Sequence, residues 1–235
     1  MEPQKKSTFP WLYVGCGCFL LLALVAVGVV AAGYYGVRQA KGYAADLQDP
    51  EKRSLRAREM LGASQLPAGY HARVFLGVPW LFDMVVLSDG EEPGAGPNVE
   101  VQLDDLGEHA FFYMAMRDFR GQRDQYRRFL QGEEETTHVN FEVDFNFRSL
   151  EVLDRGVLEV PPQQVTYSVN RGEFESYGET SEGLFTEMLI ECPDEEKLRI
   201  GFWLDRGLED LASATGEPGR EALHRFLGHF NVCAG

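Results

Sequence analysis

The clearest pattern in this chain is a strict alternation of apolar and polar side chains over residues 139–148. The apolar members are Val139, Phe141, Val143, Phe145 and Phe147, and each is followed by a polar residue. Side chains alternate between the two faces of a strand, so this period of two predicts a strand with one buried and one solvated side. The pattern therefore predicts a β-sheet.

Shorter apolar runs rich in β-branched and aromatic residues predict further strands, because such side chains fit a pleated surface. These runs cover residues 74–78, 81–87, 109–116, 165–169, 184–192 and 198–204, and a weaker alternation covers 99–103. Residues 89–98 contain two prolines and three glycines and predict a loop. Together the segments predict about eight or nine strands in one α+β domain with a largely antiparallel sheet.

Three segments predict helices. The first has Asp49 as its N-cap, Pro50 at the first helical position and Gly62 at its end. The second covers residues 117–131, and the third begins near Pro218. The apolar side of the third helix consists of Leu223, Phe226, Leu227 and Phe230. We expect the helices to pack on one face of the sheet.

Two short motifs recur and favour an internal duplication. Arg128-Phe129-Leu130 and Arg225-Phe226-Leu227 are 97 residues apart, and Leu66-Pro67 and Val160-Pro161 are 94 residues apart. The repetition suggests two similar halves, each a group of strands closed by a helix. The alternative is chance, since three letters recur readily.

A long apolar segment precedes the domain. Ser7 to Val37 contains no charged residue, and aromatic residues lie at both of its ends. About 20 apolar residues span the hydrocarbon core, and aromatic rings favour the headgroup level. The sequence therefore predicts a tail at 1–10, a transmembrane anchor at 11–37, a connector with a helix at 38–65, and an acidic globular domain at 66–235.

The alternative for this segment is a cleaved signal peptide, with Lys5 and Lys6 as its basic region. A signal peptide's apolar region normally covers about 7–15 residues, and this one is about twice as long, which favours an uncleaved single-pass anchor. Basic residues flank both ends, so the positive-inside rule barely discriminates. A short tail before a large domain favours an extracytoplasmic domain.

Small residues line one side of the predicted anchor. Gly28, Ala32 and Gly36 recur every four residues, a spacing that lets two membrane helices approach closely. This pattern favours self-association, although glycine and alanine are also common in membrane helices generally.

Charge is distributed unevenly. Residues 1–60 carry a net charge of +3, whereas residues 61–235 carry 14 basic and 32 acidic residues, a net charge of −18. Such a domain is repelled by phosphate backbones, which excludes nucleic acid as a partner. The acidity is typical of a solubilising surface and also suits a basic partner.

The domain contains two cysteines, Cys192 and Cys233. An even number in an extracytoplasmic domain permits one disulfide, with two buried thiols as the alternative. No CxxC pair occurs, so neither zinc nor thioredoxin-like chemistry is indicated.

No catalytic or cofactor-binding motif occurs along the chain, so we predict no catalytic residue, cofactor or metal. The histidines are His71, His109, His138, His224 and His229, and none belongs to an HExxH motif. Glu142 and Asp144 share the polar side of the alternating strand, but nothing selects them from the other carboxylates. Solvated surface acids are the simplest interpretation.

Three functions remain. The preferred one is a non-catalytic, membrane-tethered domain of the cell envelope that binds a partner protein or a second copy of itself. The alternatives are a hydrolase assembled from scattered carboxylates and histidine, and a domain that binds small apolar ligands or lipids.

Overall fold

The computed structural model describes residues 42, 45–78, 81–94, 103–118, 121–134, 145–176, 179–193, 197–206 and 214–234. The chain divides into two compact units, 1–45 and 46–235, and the sheet with its helices belongs to the second. No helix in these described ranges has the length and apolar character needed to cross a membrane.

The predicted membrane segment lies outside the described residues. This holds for the whole of 11–37, and thus for Gly28, Ala32 and Gly36. The anchor and its small-residue side therefore stay predictions.

Seven antiparallel strands form one sheet in the order β1-β2-β3-β7-β6-β5-β4. The strands are β1 His71–Val78, β2 Phe82–Ser88, β3 His109–Arg117, β4 Phe145–Val160, β5 Gln163–Ser176, β6 Glu179–Glu191 and β7 Lys197–Asp205. The helices are α1 Pro50–Leu61, α2 Gln122–Gln131 and α3 Gly216–Leu227. The prediction of an α+β domain with a largely antiparallel sheet is confirmed.

The sheet joins two meanders through its centre. β1-β2-β3 and β4-β5-β6-β7 each run through consecutive antiparallel neighbours, and β3 pairs with β7. In this pairing Phe111 lies opposite Trp203 and Phe112 lies opposite Phe202. The last strand of each meander therefore lies at the most buried position.

The helices cover both faces of the sheet, so the prediction of a single covered face is wrong. The α2 face carries Phe202 and Glu187, and the hydroxyl of Tyr126 on α2 donates a hydrogen bond to Glu187. Trp203 follows Phe202 along β7 and Thr186 precedes Glu187 along β6, so Trp203 and Thr186 point to the opposite face. This is the α3 face, where Phe226 of α3 stacks on Trp203 with ring centroids 4.9 Å apart.

The reason for this error lies in the central strands. Residues Ala110 to Ala115 of β3 are all buried, as are Leu198 to Phe202 of β7. Such continuously buried runs, which include even Arg199, expose no solvated face, so each side of the sheet requires a covering layer. The part of the alternating segment that the structure describes, from Phe145 onward, begins β4 at the edge of the sheet and does not represent its centre.

The edge formed by β4 curls over the α2 face. β4 is separated from β7 by two strands, yet Phe147 stacks on Phe202 with ring centroids 4.3 Å apart. Two bulges in β4 bend the strand, at Ser149/Glu151 and at Val152/Asp154. The curled edge, the central strands and α2 enclose an aromatic core with Phe112 and Phe185.

The predicted boundaries of the first helix are confirmed, whereas α2 begins at Gln122 because residue 117 still belongs to β3, and α3 begins at Gly216, two residues before Pro218. Asp49 caps α1 through a 3.1 Å bond from the Glu51 N–H to its Oδ1, Pro50 is the first helical residue, and Gly62 ends the helix with φ 60°. All four predicted inner residues of the third helix, Leu223, Phe226, Leu227 and Phe230, are buried. The N–H of Asn231 donates to the carbonyl of Leu61, so α1 lies beside the chain that follows α3.

The strand predictions correspond to β1, β2, β3, β5, β6 and β7. Residues 135–144 lie outside the described residues, so the alternating segment is seen only from Phe145 onward, as the start of β4. The rest of β4, through Val160, was not predicted.

A disulfide joins Cys192, directly after β6, to Cys233 in the final turn, with Cα atoms 5.5 Å apart. It connects the sheet to the chain end that follows α3.

Candidate functional site

A cleft of about 240 Å³ lies between α3 and the α3 face of the sheet. Its polar lining consists of His109, Asp154, Tyr167, Thr186, Asp205 and Arg220. Its apolar lining is formed mainly by Val169, Leu184, Trp203, Ala222 and Leu223. A concave site with an apolar floor and a few convergent polar groups is the usual form of a small-ligand site.

The strand register determines which side chains share this cleft. His109, Asp205 and Leu184 are directly paired across β3, β7 and β6, and form one row at the end of the sheet. Trp203 and Thr186 form the next row, two residues further along the same face. Cross-strand pairing thus brings together residues that lie nearly 100 positions apart in sequence.

Asp154 reaches this face because of a bulge. Val152 pairs with Asn170 and Asp154 pairs with Val169, so the register skips Leu153. Residues 152 and 154 would share a face in a regular strand, but here they point to opposite faces. Asp154 Oδ2 accepts a 3.2 Å hydrogen bond from the N–H of Gly216 and thereby caps the N-terminus of α3.

Arg220 and Tyr167 join helix and sheet at this end of the cleft. The Nε–H of Arg220 donates to the Tyr167 hydroxyl at 3.0 Å. Burial raises the pKa of Tyr167, and the bond to the tyrosine oxygen raises the pKa of Arg220. The tyrosine ring lies over Gly156, where an added Cβ would be 2.8 Å from the hydroxyl oxygen.

The opposite end of the cleft carries a histidine between two carboxylates. His109 Nδ1 lies 2.7 Å from Asp89 Oδ2, and Nε2 lies 3.8 Å from Asp205 Oδ1. Asp89 Oδ1 also accepts a 2.8 Å bond from the backbone N–H of His109. The simplest role of Asp89 is to fix the connection between β2 and β3, and the same contact orients the imidazole towards the cleft.

Trp203 is held rigidly in the floor. Its indole N–H donates to the hydroxyl of Tyr70 at 3.1 Å, and its ring stacks on Phe226 with planes 4° apart. Burial raises the pKa of Tyr70 to about 12, so this hydroxyl stays protonated at neutral pH. Trp203 remains partly exposed at the cleft and is a natural optical reporter of it.

Among the described residues, the carboxyl group with the most strongly raised pKa lies elsewhere. Glu187 is buried on the α2 face against Tyr126, and burial raises its pKa to about 7. It does not line the cleft and serves as a core residue. Among the described residues, no group of three or more histidine, cysteine or acidic side chains is arranged to hold a metal ion.

The sequence-predicted site residues do not meet here. The disulfide of Cys192 and Cys233 does not line the cleft, and the pair Glu142 and Asp144 lies outside the described residues. Among the histidines, cysteines and carboxylates singled out from the sequence, His109 lines the cleft, as does Leu223 from the predicted apolar side of the third helix. Asp154, Tyr167, Asp205 and Arg220 carried no sequence signal, because only strand pairing and helix packing bring them together.

The chain matches no protein-family model and no curated protein.

Proposed function

We propose that this protein is a membrane-tethered, non-catalytic binding domain of the cell envelope, and that the cleft beneath α3 is its ligand site. The observation that carries the proposal is the composition of the cleft. Charged groups lie at both ends, around Arg220 and around Asp205, and an apolar floor lies between them.

The size of the cleft supports a small ligand. Pockets for drug-sized molecules measure about 300–1,000 Å³, and this one measures about 240 Å³. A folded partner enters such a space only with a chain terminus or a single side chain. The charged ends disfavour a wholly apolar ligand or lipid, because desolvating them without a polar partner is unfavourable.

Ligand retention tests this proposal. The full-length protein is purified from its native membrane, denatured, and the released small molecules are identified by mass spectrometry. Ala222 lines the cleft, so Ala222→Phe fills it. Ala234 is exposed and does not line it, so Ala234→Phe is the matched control.

A compound released by the wild type and by Ala234→Phe, but not by Ala222→Phe, supports the proposal. Release of the same compounds by all three proteins, or of none by the wild type, contradicts it. Equal thermal unfolding midpoints of the three proteins confirm that the fold is retained.

The membrane part of the proposal rests on residues 11–37, with the N-terminal tail inside and the domain outside. A membrane helix predicts that alkaline extraction leaves the wild-type protein in the membrane. The double substitution Leu22→Arg with Val25→Arg should make the protein extractable, and this pair of results supports the anchor. Self-association through Gly28, Ala32 and Gly36 predicts a crosslinked dimer of the wild-type protein, which the double substitution Gly28→Leu with Gly36→Leu abolishes. If the wild type and this variant are both monomers, self-association is excluded.

The repeated motifs still suggest two related halves. A two-fold axis normal to the sheet would relate such halves and would place α2 and α3 on the same face, whereas the two helices lie on opposite faces.

A hydrolase is the second candidate, and one observation favours it. Asp89 holds His109 Nδ1 at 2.7 Å and directs Nε2 to the cleft. A carboxylate that orients an imidazole in this way is the arrangement of a general base. The base would activate water for attack on an ester or amide.

Hydrolysis of p-nitrophenyl acetate by the full-length protein tests this candidate. A rate that falls at least about tenfold in His109→Asn, but not in His229→Asn, supports general-base catalysis. Equal rates in these variants and the wild type leave His109 as a residue that fixes the β2–β3 connection.

A further inference from the structure

β4 forms one edge of the sheet, and in the described part of the chain its strand neighbour is β5. Two register shifts, at Ser149/Glu151 and Val152/Asp154, interrupt its first half, whereas residues 154–160 pair with β5 without interruption. An edge strand exposes unpaired backbone groups on its outer side, and bulges are one way in which proteins block such an edge. The regular stretch 154–160 lacks this protection.

The outward-facing backbone groups of this stretch belong to Arg155, Val157 and Glu159. A two-residue turn joins β4 to β5, so Val160 and Gln163 close the hairpin and exchange both of their backbone hydrogen bonds. Counting back from Val160, every second residue of β4 then directs its N–H and C=O groups away from β5. The N–H of Arg155 agrees with this, because it donates at 2.8 Å to the side chain of the preceding aspartate at an exposed position.

The same three residues form a self-complementary surface. Arg155, Val157 and Glu159 share one face of β4 and are exposed, and half of the Val157 side chain is accessible. The Arg155 guanidinium lies close to Gly132 at the end of α2, and the Gln164 side chain donates a hydrogen bond to the Glu159 carboxylate. The edge therefore presents an exposed apolar side chain midway between a positive and a negative charge.

We infer that the occupant of this edge is β4 of a second copy of the chain, antiparallel to the first and with Val157 on the two-fold axis. Arg155 of each copy then lies opposite Glu159 of the other, and the two Val157 side chains meet. The opposed residues all have outward-facing backbone groups, so each pair exchanges two hydrogen bonds. The N–H of Arg155 exchanges its bond to the neighbouring aspartate for one to the second copy.

The charges select this register. Moving the two-fold axis to Arg155 or to Glu159 places like charges opposite each other, which is unfavourable on paired strands. Moving it to Gly156 or Leu158 separates each arginine from its glutamate. A second copy supplies the matching charges automatically, whereas an unrelated extended peptide would need the same spacing by coincidence, so the pattern favours a second copy.

The paired surface is small. Stable interfaces bury about 1,200–2,000 Å², which residues 155–159 of two copies do not reach. We therefore expect a weak dimer that forms where copies are held close together. The membrane anchor at 11–37 holds them in this way, and this step rests on the proposed function.

Disulfide crosslinking in membranes tests the pairing. The full-length chain carries Cys16→Ala and Cys18→Ala, and Val157→Cys provides the thiol. Residues at a hydrogen-bonded antiparallel position have Cα atoms about 5.5 Å apart, which suits a disulfide. Leu150 is equally exposed on the same strand but would lie roughly 40 Å from its counterpart, so Leu150→Cys is the matched control. We expect at least about tenfold more disulfide-linked dimer with Val157→Cys.

Charge reversal tests the register. In the Val157→Cys chain, Arg155→Glu places glutamates opposite each other and Glu159→Arg places arginines opposite each other. Each should lower the dimer yield at least about fivefold. The two variants, expressed together with different tags, should crosslink to each other as well as the chain without charge reversal does, because each then meets opposite charges. Mixing cannot restore a loss that is caused by misfolding.

Equal dimer yields from Val157→Cys and Leu150→Cys overturn the inference, as does capture of a different protein by Val157→Cys. Mixed charge-reversed chains that crosslink no better than either alone overturn it as well. Ala222→Phe blocks the cleft and should leave the crosslink unchanged, so the ligand site and the edge pairing fail independently. Alkaline extraction of the same membranes distinguishes failure of the anchor from failure of the pairing.

Discussion

The guanidinium of Arg220 on α3 is tied to the hydroxyl of Tyr167 on β5 by a hydrogen bond of 3.0 Å. Tyr167 is buried and Arg220 is exposed, so the rigid sheet sets the position of a charged group on the helix. This hydrogen bond therefore fixes where the Arg220 guanidinium lies at the cleft.

Tyr167→Phe removes the oxygen that positions Arg220 while retaining the ring. We expect a small molecule released from the wild-type protein to bind about tenfold more weakly to this variant, because the guanidinium is no longer preorganised. Arg220→Gln with Tyr167→Phe binds no more weakly than Arg220→Gln alone, since the two residues act as one unit. Calorimetric titration of the three variants measures this coupling, and additive losses would show that the two residues act independently.

Gly156 provides the space that the Tyr167 ring occupies. A Cβ at this position would lie 2.8 Å from the hydroxyl oxygen and 2.9 Å from Cζ, so Gly156→Ala displaces the ring. We expect a loss of about 1–3 kcal/mol in the free energy of unfolding, as for other overpacked sites. Gly94→Ala meets no atom within 4 Å and is the control, with little change. Denaturant unfolding that gives equal midpoints for both variants would disprove this packing.

Glu187 makes stability depend on pH. Burial raises its folded-state pKa from 4.5 to about 7, so the folded protein holds this proton more tightly than the unfolded chain. The stabilisation from the protonated carboxyl is fully present below about pH 4.5 and is lost as the pH rises through 7. The loss amounts to about 3 kcal/mol.

Glu187→Gln keeps a neutral side chain that still accepts a hydrogen bond from Tyr126, and removes this titration. We expect the variant to be the more stable protein at about pH 8 and to lose that advantage towards about pH 5. Denaturant unfolding across this pH range measures the difference in the free energy of unfolding between the variant and the wild type. Because the other carboxylates are the same in both proteins, this difference reports on Glu187 alone. A difference that stays constant with pH would mean that Glu187 does not titrate there.

The disulfide between Cys192 and Cys233 closes a loop with a sequence separation of 41. Loop-closure entropy gives it a stabilisation of about 4 kcal/mol. Cys192→Ala with Cys233→Ala therefore lowers the free energy of unfolding by this order, whereas Cys16→Ala with Cys18→Ala does not. Alkylation of the unfolded, non-reduced protein should label Cys16 and Cys18 alone, and labelling of Cys192 or Cys233 would contradict the bond.

The elements of the fold follow from local pattern to a large extent. Asp49, Pro50 and Gly62 mark the ends of α1 because capping depends on neighbouring residues. β4 beyond Phe147 escaped prediction because its two bulges interrupt the alternation, and Leu150 and Val157 are exposed although apolar. The second covered face was missed because a continuous apolar strand does not reveal what packs on it.

The cleft was beyond prediction for a different reason. Its members come from β3, β4, β5, β6, β7 and α3, and none lies in a motif with its partners. Asp154 faces the cleft only because Leu153 is skipped in the pairing, and a register shift cannot be read from one sequence. Arg220 is one of several exposed arginines until the position of Tyr167 is known.

The central claim, that the cleft is the ligand site, is tested most directly at Trp203. In a full-length chain with Trp11→Phe and Trp80→Phe, Trp203 is the remaining tryptophan. The small-molecule fraction released from the wild-type protein is titrated into this chain while its emission is recorded. We expect a saturable change in emission that Ala222→Phe abolishes and Ala234→Phe retains. Unchanged emission, or a change that persists in Ala222→Phe, would contradict it.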